Sequence, residues 1–388
     1  MEEKAELLGG EGVQRGRVHS WLLSTLLLLL TATSCLLALH LLPHLLPQPT
    51  PAPPSCLSTC TVELVESIPE GLVFNSSLVH LSTHAAWTRL LALAQADLHL
   101  AGMYFSLRGE DVFPSPSAAA GEHIFQQLEE AVGRRGIRLK IAENAARPGA
   151  SPETAALAAA GAEVRAVNFT ALVGAGVLHT KLWVVDGRHF YVGSANFDWR
   201  SLTQVKEVGA LVTDCPCLAE DIDKIWAVYW ALGGATALPP SWPPRLATAY
   251  NADTPLALPG LPEVFLASSP AALCPAGREV DLDAIVKAID AAEEVVEVSV
   301  MDYIPATLYT HPMHFWPDID QALRRAAIDR GVTVWICFKN IYFHHLEIFV
   351  SGRCVCWPAS GRTRGRPSPG SSGPCKTSPA PTPGWTSR

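Results

Sequence analysis

The clearest structural pattern in this 388-residue sequence is HTKLWVVDGRHFYVGSAN, residues 179–196, which describes a β-hairpin. The residues on each side of the turn are apolar or β-branched, as expected of strands. Asp186-Gly187 lies between them, and Asp-Gly is a favoured pair for a two-residue hairpin turn. The stretch therefore predicts two antiparallel strands that are joined at residues 186 and 187.

Polar residues at two ends of this hairpin are spaced two apart. We expect His179 and Lys181 to lie on the first strand and Ser194 and Asn196 to lie on the returning strand. Side chains two apart on a strand project from one face. An imidazole can attack phosphorus or move a proton, an adjacent ammonium stabilises charge on phosphate oxygens, and neutral donors bind the same oxygens. The spacing therefore predicts phosphoryl chemistry. A surface hairpin with an incidental His and Lys is the alternative interpretation.

An alternating pattern of helices and strands surrounds the hairpin. It predicts, in order, a helix, a strand, a helix and a strand at 87–96, 98–105, 121–135 and 137–142. The same order returns at 283–292, 295–303, 316–330 and 332–338. Both second helices close with Gly before a β-branched residue, at Gly136-Ile137 and Gly331-Val332. We expect an α/β fold with two related lobes, 60–250 and 251–338; two unrelated helix-Gly-strand units are the alternative.

The N-terminal region contains an uncharged run of 23 residues, Ser20 to Leu42. At about 1.5 Å per residue it is long enough to cross a hydrocarbon core of about 30 Å. A cleaved signal peptide is the alternative, but the run is long and lacks a clear cleavage site. Arg15 and Arg17 precede it, so we expect a cytosolic tail (1–19), a transmembrane signal anchor (20–42), a proline-rich stalk (43–59) and a lumenal body.

The charge distribution narrows the kinds of ligand the body can attract. The net charge is −8, yet the last 38 residues carry six basic residues and no acid, so residues 1–350 carry −14. An acidic body excludes bulk electrostatic attraction to nucleic acid or anionic lipid. Any anionic substrate must be held by a local cluster of donors.

Cysteine and asparagine residues fit a lumenal body. Cys56 and Cys60 lie at its start, and Cys215 and Cys217 form a second pair; in an oxidising compartment these residues are disulfide candidates that would join the two pairs. A zinc site is the alternative, but the spacing matches zinc ribbons poorly, and we expect no metal. Asn75 and Asn168 begin glycosylation sequons.

The hairpin residues resemble the signature of the phospholipase D superfamily. Its His-x-Lys-x4-Asp is matched by His179, Lys181 and Asp186, and its Gly-Ser-x-Asn by residues 193–196. Residues 65–72, 176–181, 198–207 and 311–317 are also similar to the membrane-anchored branch of endolysosomal 5′ exonucleases. The resemblance, over about residues 60–338, implies a mixed sheet flanked by helices.

The resemblance also implies the roles of individual residues. His179 and Lys181 would be catalytic, with Asp186 fixing the hairpin rather than carrying a proton. Glu207 would hydrogen-bond and orient an active-site histidine; a solvated acid paired with a neighbouring base is the alternative. The chemistry runs through a phosphohistidine and needs no cofactor, because lysines supply the positive charge.

A second His-x-Lys motif, which members of this superfamily require, is missing from the sequence. The histidines after Gly331 are His344 and His345, and neither has a lysine two residues later. From about Lys339 the α/β pattern gives way to a tail (339–388) that we expect to be aberrant and disordered. The sequence thus predicts one complete lobe and one truncated lobe, and it leaves open whether the chain is an active enzyme.

Three functions remain open at this point. The first is a weak or inactive 5′ to 3′ exonuclease on single-stranded DNA or RNA, in the endoplasmic reticulum, Golgi and endolysosome. The second is an inactive type II membrane glycoprotein that binds phosphate ligands, forms a homodimer or pairs with a full-length relative. The third is a phospholipid phosphodiesterase or transphosphatidylase.

Overall fold

The structure, a computed structural model, describes residues 31, 33, 59–74, 79–145, 151–258, 263–301, 303–307, 310, 312–338, 353–357 and 385–387. The chain divides into two compact units, residues 1–51 and 52–388. The predicted cytosolic tail, transmembrane run and stalk lie outside the described residues, apart from Thr31, Thr33 and Thr59. No helix among the described residues has the length and apolarity that crossing a membrane requires.

A mixed sheet of eight strands forms the centre of the second unit. The first eleven strands of the chain are β1 (Thr61–Ser67), β2 (Leu72–Phe74), β3 (Leu81–Ser82), β4 (Asp97–Gly102), β5 (Phe105–Ser106), β6 (Arg138–Asn144), β7 (Glu163–Val167), β8 (Leu182–Val185), β9 (His189–Gly193), β10 (Phe197–Asp198) and β11 (Glu207–Thr213). The sheet order is β3-β1-β11-β9-β8-β4-β6-β7. The pairs β4·β6 and β6·β7 are parallel, whereas β8 is antiparallel to both β4 and β9.

The predicted hairpin is present as β8 and β9. Its turn has positive φ at both central positions, 52° at Asp186 and 58° at Gly187, and the Arg188 N–H donates to the Val185 carbonyl at 2.9 Å. Left-handed backbone of this kind favours Asp and Gly. The strand begins only at Leu182, so His179 and Lys181 lie in the segment immediately before it.

Helices cover both faces of the large sheet, except the last two in the chain, which pack on a smaller sheet. They are α1 (Thr83–Leu93), α2 (Ala119–Gly133), α3 (Pro152–Ala159), α4 (Phe169–Val173), α5 (Trp199–Thr203), α6 (Pro216–Leu232), α7 (Asp281–Ala291) and α8 (Asp318–Arg324), which continues as a π-helical turn, Arg325–Asp329. Alternation along β4 shows how the two cores form: Leu98 and Leu100 pack with α1 and α2, and Ala101 packs with α6. The predicted helices at 87–96 and 121–135 correspond to α1 and α2.

Residues after position 250 pack on the core that contains α6. Leu256 and Leu273 belong to the same hydrophobic cluster as α6. The guanidinium of Arg278 donates to both carboxylate oxygens of Asp221 on α6, at 2.7 and 2.9 Å, and both side chains are buried. A buried, bidentate pair of this kind fixes its two elements in one arrangement. Leu256, Leu273 and Arg278 are therefore packed against α6, an element of the predicted first lobe.

A second, smaller sheet of three strands follows, and the other short strands form separate pairs. The remaining strands are β12 (Leu256–Ala257), β13 (Glu263–Val264), β14 (Ala267–Ser268), β15 (Glu279–Val280), β16 (Val295–Val300), β17 (Thr333–Phe338), β18 (Arg353–Trp357) and β19 (Trp385–Ser387). Strands β16 and β17 are parallel, and β18 is antiparallel to β17. A separate cluster of apolar residues, including Ile289, Leu323 and Val334, packs α7 and α8 against this sheet.

Two strands, β18 and β19, fall in the tail for which the sequence predicts disorder. The stretch Arg353–Trp357 is RCVCW, and its β-branched and aromatic residues favour an extended chain, which pairs with β17. The other residues of 339–388 lie outside the described part of the chain.

One predicted disulfide link is present. Cys60 is bonded to Cys215 across 155 residues. Cys217 is disulfide-bonded as well, and Cys56, the remaining candidate, lies outside the described residues. The bridge attaches the start of β1 to the N-cap residue of α6.

Candidate active site

Several strand ends meet at one edge of the large sheet. Because β8 is antiparallel to β4 and β9, and β9 to β11, the starts of β8 and β11 lie at the same edge as the ends of β4, β6 and β9. His179 and Lys181 precede β8, Ser194 follows β9, and Glu207 begins β11. Four of the predicted site residues are thus brought to one edge by sheet topology.

His179 and Lys181 are in direct contact. The Lys181 Nζ lies 2.9 Å from His179 Nδ1, and it donates to the His179 backbone carbonyl at 2.6 Å. Lys181 is buried, with 4% of its surface exposed, whereas His179 reaches solvent. The two side chains are therefore adjacent, although the segment that holds them is not part of the strand from which the prediction was made.

Burial changes the protonation of both groups. The buried position of Lys181 lowers its pKa to about 8, and the carboxylate of Glu207 opposes that change. Atoms packed around the His179 ring lower its pKa, and the charge of Lys181 lowers it further. The pair is therefore poised with a charged lysine and a neutral imidazole at neutral pH, which is the protonation state that nucleophilic attack on phosphorus needs.

Ser194 and Glu207 form a second pair at the same edge. The Ser194 hydroxyl donates to a carboxylate oxygen of Glu207 at 2.5 Å and accepts the Val208 N–H at 3.0 Å. Glu207 is buried, at 7% exposure. Among the described residues its side-chain partner is Ser194, and the role of Glu207 in orienting a histidine stays a prediction.

The glycine of the Gly-Ser-x-Asn run has a packing role. A Cβ on Gly193 would lie 2.4 Å from the hydroxyl of Tyr191, and one on Gly209 would lie 2.5 Å from the same ring. The Tyr191 ring is fully buried between these two backbones. Glycine is needed at both positions because no side chain fits there.

Two other predicted residues lie in or after the hairpin: Asn196, and Asp186, which the resemblance assigns to fixing the hairpin. Asn196 has a buried side-chain oxygen with no partner among the described residues, so it contributes no bond to the site in this structure. Asp186 lies five residues beyond Lys181, about 16 Å along an extended strand. Its carboxylate accepts three backbone N–H groups, from Gln95 at 2.8 Å, Ala96 at 2.9 Å and Asp97 at 2.7 Å. Asp186 therefore ties the hairpin turn to the start of β4 and is absent from the catalytic edge.

Asn144 and Tyr104 reach the site although the sequence analysis assigns them no role. The side-chain oxygen of Asn144, at the end of β6, accepts the Leu178 N–H at 2.9 Å and so fixes the residue before His179. The Tyr104 hydroxyl donates to Asp198 at 3.1 Å. Burial, followed by the charge of Asp198, raises the pKa of Tyr104 to about 12, so it stays a hydrogen-bond donor. Asp198 belongs to the DWRSL run that carries the resemblance, which is the one signal in the sequence for this group.

Of the two predicted glycosylation asparagines, Asn168 lies in the described part of the chain. It is exposed and caps α4, with its side-chain oxygen accepting the Ala171 N–H at 3.0 Å. Asn75 lies outside the described residues.

Comparison with known proteins identifies relatives over most of the chain. The sequence matches the family described as "PLD3/4, PLD-like domain" over residues 75–341. The 5'-3' exonuclease PLD3 of Rattus norvegicus is 46% identical over 285 residues, which cover 72% of this chain and 58% of that protein. The 5'-3' exonuclease PLD4 of Mus musculus is 42% identical over 283 residues, covering 71% and 56%. The chain therefore spans less than two thirds of these relatives' length.

Solved structures give a weaker likeness. The phospholipase D family member Nuc from Salmonella typhimurium matches with a TM-score of 0.34 and 22% identity, covering 45% of this chain and 96% of that one. NucT from Helicobacter pylori matches with a TM-score of 0.31 and 14% identity, covering 44% and 98%.

Proposed function

The chain belongs to the PLD3/4 family of phospholipase D-like proteins, and we propose that it acts on phosphodiesters at the 5′ end of single-stranded DNA or RNA. The observation that carries the proposal is the contact between the His179 ring and the buried ammonium of Lys181, beside Glu207 and Ser194. A neutral nucleophile next to a fixed positive charge suits attack on an anionic phosphodiester. The names of the relatives supply the polarity and the kind of substrate.

In the proposed first step a nitrogen of His179 forms a bond to phosphorus and the bond from phosphorus to the leaving oxygen breaks. Lys181 balances the charge on the non-bridging oxygens, and its pKa of about 8 keeps it protonated at neutral and acidic pH. The leaving oxygen takes a proton from a general acid. Water then attacks phosphorus, loses a proton to the same group, and releases His179.

That general acid is the missing part. This sequence holds one His-x-Lys pair, at residues 179 and 181, which supplies the nucleophile, and a second group is needed to act first as general acid and then as general base. We propose that the chain alone binds phosphodiesters and turns them over slowly or not at all. A second copy of the chain, or a full-length relative, would supply the second group.

A phospholipid substrate is the alternative, because it presents the same phosphodiester. The experiment uses the full chain with a single-stranded DNA oligonucleotide that has a free 5′ end and a 3′ fluorophore, the same oligonucleotide as a blunt duplex, and phosphatidylcholine vesicles. We expect fluorescence anisotropy to show binding to the single strand, weakened about tenfold or more by Lys181→Met, since a charged contact of about 1.5–3 kcal/mol is lost. The exposed His314 provides the matched control variant, His314→Ala.

Turnover is measured on the same mixtures. We expect any release of 5′ nucleotides to vanish in His179→Ala and to rise more steeply than in proportion to chain concentration, because two copies complete one site. The proposal would be overturned if the chain did not bind the single strand, or if Lys181→Met bound it as tightly as the parent. Consumption of phosphatidylcholine without action on the oligonucleotide would replace it with the lipid alternative.

We also propose a type II single-pass topology with the body in the lumen of the endoplasmic reticulum, Golgi and endolysosome. The uncharged run at 20–42 supports an anchor, and the Cys60–Cys215 bridge supports an oxidising compartment. Asn75 and Asn168 would then carry glycans. In sealed microsomes, added protease should remove the N-terminal tail and leave the body intact; digestion of the body would contradict this topology.

A further inference from the structure

A cavity of about 520 Å³ lies directly beside His179. Its lining includes the apolar side chains of Phe169, Val173 and Val177, together with His179 itself. Binding sites for small organic groups have this size and this mainly apolar lining. A phosphate held at His179 and Lys181 would place its neighbouring group at the mouth of the cavity.

Polar groups interrupt the apolar wall at particular places. Thr180 and Tyr229, whose hydroxyls lie 3.0 Å apart, are both lining residues of the cavity. Ser269, another lining residue, is exposed, and its hydroxyl has no side-chain bond among the described residues. These groups offer donors and acceptors to a ligand whose edge is polar.

We propose that this cavity binds the base of the 5′-terminal nucleotide, an inference that rests on the function proposed above. A nucleobase has two apolar faces, which suit Phe169 and Val173, and a polar edge, which suits Thr180 and Ser269. A lipid acyl chain would cover the same hydroxyls without giving them partners, at a cost in free energy. The combination favours a base over an acyl chain.

The place of the cavity gives it a second consequence. His179 is one of its lining residues, so a base that occupies it lies beside the phosphodiester that His179 and Lys181 contact. The cavity would thus contribute to recognition of the nucleotide that precedes that phosphodiester. Val173 and Ser269 become specificity-determining residues in this proposal.

The experiment compares two single-stranded oligonucleotides that differ only in the first nucleotide, which is either normal or abasic, with binding measured by anisotropy on the full chain. Val173→Trp fills the cavity from α4, and Ser269→Leu removes a polar group at an exposed position. Val205→Trp, which adds the same bulk at a residue 44% exposed, is the matched control. We expect the normal strand to bind about tenfold more tightly than the abasic one, and either cavity variant to abolish that difference.

A second readout places 2-aminopurine at the first or the fifth position. Stacking in the cavity should quench its fluorescence at the first position only, and Val173→Trp should restore it. Equal binding of normal and abasic strands overturns the cavity proposal but leaves the proposed function standing. Failure of both strands to bind overturns the proposed function as well. If a diacyl phosphate bound more tightly than the oligonucleotide and displaced 2-aminopurine from the cavity, the cavity would be assigned to an acyl chain, against the proposal.

Discussion

The Nζ of Lys181 lies 2.9 Å from Nδ1 of His179, so the motif's lysine contacts the imidazole itself. A protonated lysine has only donors, so Nδ1 is the acceptor in that contact, and the proton of the neutral ring is on Nε2. Attack on phosphorus through Nε2 needs that proton on Nδ1 instead. Substrate phosphate would draw the Lys181 ammonium away from Nδ1 and free the ring to change tautomer.

The first prediction concerns the pKa of His179. In Lys181→Met the positive charge that disfavours the imidazolium is lost, so the His179 pKa should rise toward its ordinary value. NMR titration of the ring proton, assigned from its loss in His179→Gln, measures this change. Lys206→Met is the control, because Lys206 pairs with Glu66 at 2.7 Å. An unchanged His179 pKa in Lys181→Met would contradict the contact.

The second prediction concerns Asp186. Asp186→Ala leaves three backbone N–H groups without their acceptor. It also puts alanine at a φ of 52°, a left-handed backbone conformation that alanine adopts less readily than aspartate. We expect a loss of about 3 kcal/mol or more in the free energy of unfolding. Urea denaturation measures it, with Asp253→Ala as a control at an exposed aspartate. A variant as stable as the parent would show that Asp186 has another role.

The third prediction concerns pH and Glu153, which is fully buried and accepts the Arg108 N–H at 2.6 Å. Burial raises its pKa from 4.5 to about 7. Between these values the folded state binds more protons than the unfolded state, so the free energy of unfolding should fall as pH rises, by on the order of 3 kcal/mol. The penalty is absent below pH 4.5.

Glu153→Gln should remove this dependence, because the amide keeps an acceptor and does not ionise. Urea denaturation between pH 4.5 and 7.5 tests it, with Glu130→Gln, at a half-exposed position, as the control. Parallel pH profiles for the parent and Glu153→Gln would refute the prediction.

The fourth prediction concerns Asn144, whose side-chain oxygen accepts the Leu178 N–H at 2.9 Å. Asn144→Ala removes that acceptor, so hydrogen exchange at the Leu178 amide should speed up by about tenfold, which corresponds to a bond of about 1.4 kcal/mol. Asn144→Asp keeps an acceptor and should preserve protection. If both variants exchange like the parent, another group fixes this segment.

The hairpin and its chemistry were accessible from the sequence because they are local. Residues 179–196 hold a turn pair, two apolar strands and the polar residues that flank them, all within one short stretch. The helix and strand order of each lobe was accessible for the same reason. The resemblance then gave the family, which the match over residues 75–341 supports.

The rest of the site depends on sheet order, which no local pattern encodes. Asn144 lies 34 residues before the amide it binds, and Tyr104 lies 94 residues before Asp198. Asp186 is close to His179 in sequence, but a strand carries it to the far edge, where it fixes the hairpin turn as the resemblance implies. The pairing of Arg278 with Asp221 on α6 could not be predicted locally, because the two residues are 57 positions apart.

The bridge between Cys60 and Cys215 also sets how mechanical load enters the fold. β1 is the first strand of the described body and pairs with β11, so tension on residue 59 would otherwise peel it away one hydrogen bond at a time. With the bridge in place, that tension passes covalently to the N-cap of α6. The Ser67–Glu207 end of the ladder, where the site lies, is then shielded from any pull on the N-terminal side of the chain.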